Sequence, residues 1–356
     1  MTEVSAWKQL LHPNEALVVL GSLHAFLQDS KLERSKVKSV QIVLDGDVHH
    51  ASFFDPWGER GLIALACHPE QPATLYGATS TKLLKVDLLK QHVLDFEIPN
   101  LRDVHELSVI GDTLWIANTQ LDEVVAFDMT REQVSERVNL AVYASMPKVI
   151  TTTEEEVQGV DDTRELVVDE REVVDKFHCN QLIQGFEGDR YVLVHYVSGN
   201  QLRVSQLARR VTRKVLRRQA NGGVVNLTTG QVIPLGLKGP HTVRKIQGEY
   251  WVCDSAMSKV NIYAPDWTLK ETIASKGWVR GADISEPLGL YYLGISEFRR
   301  RYLAVNPTVK QTPNMVQAIS IETKVPVGEL VLSGVEQITN VYVVPREAGL
   351  AMLELQ

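Results

Sequence analysis

Four histidines, His50, His105, His178 and His241, stand at matching places in copies of one sequence pattern. Neutral imidazole offers one nitrogen lone pair near pH 7 and titrates close to it. Such a set suits two chemistries: holding a divalent transition metal (Zn, Fe or Mn), or moving protons. Their neighbours extend the set. Strand periodicity of two puts Asn180 on the side of His178 and turns Cys179 the other way, which makes Asn180 a candidate cofactor contact. Glu106, beside His105, is placed to orient an imidazole or act as a general base. Arg244 and Arg280 fall near the same rim and suit a carboxylate or phosphate. The expectation is a metal held by His50, His105, His178 and His241, with Glu106, Arg244 and Arg280 as catalytic groups. A structural reading stands beside it, in which each histidine bonds to a neighbouring repeat's turn. His195, in mid-strand in YVLVHYV, reads as packed or bridging. His12, His24, His68 and His92 have no partner pattern.

The elements that must position these residues are short strands. Runs such as Thr113–Asn118 (TLWIAN), Val124–Asp128, Tyr191–Tyr196, Tyr250–Asp254, Val260–Tyr263 and Leu290–Ile295 are rich in β-branched and aromatic residues, with turn-forming residues at their borders. Helical periodicity is rare, and Ser5–Leu11, stopped by Pro13, is the best helix candidate. Strand–turn alternation without helices indicates an all-β sandwich, barrel or propeller.

Internal repeats choose among these. VHELSVIGDTLWIANTQLDEVVAFD, from Val104, parallels PHTVRKIQGEYWVCDSAMSKVNIYAPD, from Pro240. Both run His, glycine turn, Trp-containing strand, Asn or Asp, Thr or Ser, then another strand. Further copies begin at Phe177 and, more weakly, at Val48; a fifth, from Trp278, has Arg280 in place of His. The histidine spacings are 55, 73 and 63 residues. The middle one shrinks to about 45 once an acidic insert is removed, near the length of a four-stranded blade. The fold expected is a single β-propeller domain, residues 1–356, of about six blades. Its last blade pairs Val335–Val344 and Ala348–Leu355 with an early strand such as Ala16–Phe26, so both ends share one sheet.

Composition excludes several classes. The chain has 356 residues, 44% hydrophobic and 23% charged, and no apolar run of 18 residues, so no membrane span is expected. The N-terminal stretch lacks the pattern of a secretory signal, and three cysteines without a CxxC pair are not a disulfide framework. A cytoplasmic location is the expectation. Of the net charge of −7, the segment Thr151–Asp175 carries −8, ten acidic residues against two arginines. The remainder is near neutral, which argues against a nucleic-acid binder. Residues 145–176 read as a mobile acidic insert, with a lid or a protein-docking segment as its alternative roles. Ala208–Arg218 (ARRVTRKVLRR) is basic but lacks interleaved aromatics. No GxSxG, Walker or HExxH motif occurs.

The segment Gly222–Ser255 resembles a bacterial family of propeller-like proteins described mainly as a domain of unknown function. Pro240, His241, Arg244, Trp251, Asp254 and Ser255 match its Pro-His-Ser-Pro-Arg and Gly-x-Leu-Trp-x-x-Asp-Ser motifs; Thr242 and Val243 depart from it. His178 and Asn180 match its Cys-His-Leu-Asn-Gly, Val104–Glu106 its Ile-His-Asp, and Arg280-Gly281 its Arg-Gly. More distantly, the arrangement is similar to strictosidine-synthase and lactonase propellers and to four-histidine iron propellers such as carotenoid oxygenases. The resemblance implies a propeller with chemistry on its axis and assigns no reaction. The leading expectation is a metal-dependent enzyme acting on a small, anionic organic substrate by a lyase, isomerase, hydrolase or oxygenase step. The alternative is a non-catalytic propeller that docks a protein partner through the acidic insert or binds a metabolite.

Overall fold

The computed structural model describes residues 7–23, 30–57, 60–143, 177–197, 222–299, 302–303 and 305–355. The acidic insert and the basic run Ala208–Arg218 lie outside the described residues.

Among the described residues, twenty-four strands form six four-stranded antiparallel sheets, and the protein is a six-bladed β-propeller. One blade takes strands from both ends of the chain: β1 (Glu15–Ser22), β2 (Val40–Leu44) and β3 (Asp47–His50) follow β24 (Gln337–Pro345) in the order β24-β1-β2-β3. The next comprises β4 (Ala64–Cys67), β5 (Thr74–Ala78), β6 (Leu83–Asp87) and β7 (His92–Phe96). Then come β8 (Val104–Ile110), β9 (Thr113–Asn118), β10 (Glu123–Asp128) and β11 (Gln133–Asn139). The following blade is β12 (Cys179–Gln184), β13 (Arg190–Val194), β14 (Gly222–Asn226) and β15 (Val232–Leu237). The last two are β16 (Pro240–Ile246), β17 (Glu249–Asp254), β18 (Lys259–Tyr263) and β19 (Leu269–Ala274), then β20 (Trp278–Ser285), β21 (Leu290–Ser296), β22 (Met315–Ser320) and β23 (Pro326–Val331).

Local chemistry sets these hairpins. Asp45-Gly46 and Gln247-Gly248 both have positive φ at the two central residues, the mirror-image turn whose twist matches antiparallel strands. The strand pattern also explains the order of burial. Central strands such as β1, β17 and β21 are apolar between their ends and buried, whereas the outermost β7, β11 and β19 are largely exposed.

The chain divides into two compact units, Met1–Leu101 with His241–Gln356, and Arg102–Pro240. In the first, apolar clusters lie between neighbouring blades; one joins Trp251, Val260 and Ile262 to Val279, Tyr291 and Leu293. In the second, Trp115, Val124 and Ala126 pack with Cys179, Leu182, Val192 and Val225.

The expected pairing of the chain's two ends is present: β1 runs antiparallel to β24, Leu17 opposite Val343 and Val19 opposite Val341. The expectation of a strand over Ala348–Leu355 is corrected. Arg346–Glu354 is the helix α1, entered from Pro345, with Ala348 and Met352 buried against Ala16 and Ile42. Its Ala, Leu, Met and Glu residues favour helix, and Gly349 sits so close to Ala16 that an added Cβ would approach that methyl to 2.5 Å. Of the proposed helix Ser5–Leu11, only residues 7–11 are described, and residues 8–11 form turns. No helix among the described residues is long and apolar enough to cross a membrane.

Candidate functional site

A β-bulge near the start of the innermost strand recurs from blade to blade. Val104 pairs with Asn118 but Leu107 with Ile116, so one residue is extra at His105-Glu106. Cys179 pairs with Val194 and Leu182 with Val192, which places the extra residue at Asn180. Val279 and Ala282 bracket Arg280-Gly281 in the same way, and Ile338 and Asn340 bracket Thr339. By pairing register, His105, Asn180, Arg280 and Thr339 are therefore equivalent positions. His241 joins them by sequence, since β16 begins at Pro240 as β8 begins at Val104. Bulges re-aim side chains at strand ends, and here they collect polar groups that are almost fully buried.

This register corrects the sequence alignment. His178 lies two residues before the bulged Asn180 and outside the strand, at the left-handed φ of +53°. The Asp122 carboxylate holds it there by accepting the backbone N–H of Phe177 and of His178 at 3.0 and 2.9 Å. His50 is on β3, the fourth strand of its blade, because the first strand of that blade comes from the far end of the chain. Its Nε2 pairs with Asp55 at 2.9 Å near the surface.

In the unit Arg102–Pro240, the bulges of β8 and β12 meet. Asn180 donates from Nδ2 to the Pro240 carbonyl at 2.6 Å, which fixes the amide's orientation. Its Oδ1 therefore accepts from Nδ1–H of His105, also at 2.6 Å. The other ring nitrogen of His105 faces Asp103 Oδ2 at 3.3 Å. With acceptors at both nitrogens, the doubly protonated ring is the form that completes both bonds. His178 stands edge-on to His105, ring centroids 4.9 Å apart and planes at 81°. His195 packs against His178 at 4.1 Å. His195, read from the sequence as packed or bridging, is thus a member of this group. Glu106 is buried beside His105.

In the other unit, His241 holds Ser255 through Nδ1 at 2.8 Å. Ser255 spends its own proton on the Val279 carbonyl, so its oxygen accepts and Nδ1 of His241 carries the hydrogen. That tautomer leaves the lone pair on Nε2. Trp278 meets His241 at 5.7 Å with planes at 69°, and Arg299 lies over the indole, its Cζ 4.5 Å from the ring centre. Arg280 follows two residues after Trp278 and is buried. Deeper in the blade, Arg244 pairs with Asp283 at 3.3 Å. Burial pushes the Asp283 carboxyl above its usual range while Arg244 pulls it down. Burial also lifts the Cys253 thiol to about 12 and that of Cys67 to about 11.

The motif residue after Asn118 or Asp254 has a structural task. Thr119 donates to the Cys179 carbonyl at 2.6 Å, and Ser255 does the same to Val279. Gly281 N–H in turn donates to Thr242 at 3.0 Å. Each bond ties one blade to the bulge of the next.

The expected metal ligands do not form one group. Among the described residues, no three His, Cys, Asp or Glu side chains are gathered as a metal ion requires. His50, His105 and His241 each bond instead through a ring nitrogen to Asp55, Asn180 or Ser255.

Residues 194–352 match the family described as a domain of unknown function (DUF4915). The match includes Gly222–Ser255, the segment whose motifs carried the resemblance. No curated protein matches the sequence. Among solved structures, a protein of unknown function from Bacteroides caccae is similar, with 9% identity over 93% of this chain and 99% of that one and a TM-score of 0.52. A chain of the nidogen/laminin complex is similar at 8% identity, over 92% of this chain and 98% of that one, with a TM-score of 0.54. At such identities the likeness shows the fold alone.

Proposed function

We propose that this propeller binds a small organic molecule at the start of β16 and the bulge of β20 and acts on it by acid–base chemistry. His241 is the base and Arg280 a binding group for the substrate. One observation carries the reading: His105, His241 and Arg280, ionisable groups that are almost fully buried, stand at equivalent positions of the innermost strands. Burying imidazole and guanidinium groups is costly unless they are used. His241 has the form a general base needs, with Nδ1–H anchored and the lone pair on Nε2.

This reading routes no step through a metal. Zn, Fe or Mn held by His50, His105, His178 and His241 would require those rings to gather around one point, and among the described residues no three such groups do. Elemental analysis of the purified protein checks this point, and stoichiometric metal lost in His241→Gln would restore the metal-dependent form. The location proposed is the cytoplasm, consistent with Cys67, Cys179 and Cys253 being outside any disulfide.

The experiment is a thermal-shift screen of metabolites against the full chain, His241→Gln and Arg280→Gln. Ligands that stabilise the wild type and lose about tenfold or more in affinity in either variant support the proposal. Binding unaffected by both substitutions would overturn it.

A further inference from the structure

A buried indole with a guanidinium over it lies in the unit that holds His241. Trp278 is almost fully buried, and its Nε1–H has no acceptor among the described residues. A buried indole N–H usually has a partner, so an unmet one marks a place for an acceptor. The groups around it supply hydrogens and positive charge. Arg299 lies across the ring and donates to the Gln337 amide oxygen at 2.8 Å. Arg280 follows two residues later, at the bulge. His241 faces the indole from the neighbouring blade. The remaining walls are aromatic: Tyr302 at 4.8 Å and Phe298 at 5.9 Å from the Trp278 ring.

We propose that Trp278 and Arg299 form a carboxylate subsite, so that the ligand is an organic acid with an apolar body lying against Tyr302 and Phe298. The inference rests on the functional reading above and adds residues that reading does not use. Guanidinium groups match the planar two-oxygen face of a carboxylate, and an indole N–H adds a single directed donor. The aromatic walls favour an organic anion over phosphate or chloride, which gain nothing from them.

The test follows the indole N–H resonances of the ¹⁵N-labelled full chain during titration with benzoate, benzamide, inorganic phosphate and sodium chloride. Trp278→Phe assigns the resonance by its loss. Saturable downfield movement of the Trp278 signal with benzoate, and not with benzamide or matched chloride, is the expected result. Arg299→Gln should weaken that response about tenfold. Should Trp278→Phe fail to fold, the response of the wild type and of Arg299→Gln still decides. A silent Trp278 signal, or equal movement with chloride, overturns the carboxylate subsite; so does a stronger response to phosphate. The two proposals fail separately. Ligands that need His241 and Arg280 but ignore Trp278 and Arg299 would leave the function standing and remove the subsite.

Discussion

Asn180 accepts from His105 and donates to Pro240, both at 2.6 Å and both away from water. Replacing it with alanine leaves a buried ring N–H and a buried carbonyl without their partners. Each unmet group costs about 1–3 kcal/mol, and the vacated amide volume adds about 1 kcal/mol. The expected loss is therefore about 3–7 kcal/mol. Asn180→Leu separates the contributions: it keeps most of the volume and should lose about 2–6 kcal/mol through the two hydrogen bonds alone. Urea denaturation of wild type and both variants, followed by tryptophan fluorescence and far-UV circular dichroism, reads the difference from the midpoints at unchanged slope. Trp115 sits in the cluster that also contains Cys179 and Leu182, so the fluorescence reports on this unit. If either variant stays within about 0.5 kcal/mol of the wild type, the amide is not joining the two strands as described.

Two further predictions follow from the same blades. Gly281 has a φ of +74°, and a Cβ there would stand 2.4 Å from the Asn340 Cα, which is backbone and cannot move aside. Gly281→Ala should destabilise by more than about 2 kcal/mol, measured by thermal unfolding, and a neutral outcome would contradict the close approach of β20 and β24. The thiols of Cys253 and Cys67, raised to about 12 and about 11 by burial, are protonated at pH 8, so the native protein should resist iodoacetamide at both positions and react after unfolding. Rapid alkylation of Cys253 in the native state, located by mass spectrometry, would refute that environment.

The propeller was legible because its signal is local and repeated. The Gly-Asp and Gln-Gly turns, the Trp-bearing strands TLWIAN and YWVCDS, and the Thr or Ser after them each mark a hairpin without long-range information. The inter-blade bonds made by Thr119 and Ser255 now give the physical reason for that last motif position. The site was less legible. Matching His178 to His105 aligned residue types, whereas pairing register leaves His178 outside β12 and makes Asn180 the residue equivalent to His105. His50 was misplaced because strand position was counted within its local repeat, whereas its blade begins with β24. The helical fate of Ala348–Leu355 was hidden because its apolar residues fit either periodicity over so short a run. Arg299 carried no repeat signal, since it lies beyond β21 in a stretch with no counterpart in the other copies.

A chain whose opening strand waits for β24 has an order imposed on its assembly. β1 can pair with β2 as soon as both exist, but its other hydrogen-bonding edge stays bare until more than three hundred further residues have been made. During synthesis that edge, with Leu17, Val18 and Val19 upon it, is a template for any extended segment that reaches it first. Maturation of the whole molecule is thus gated by one late pairing, and partial products should be the species that need chaperones.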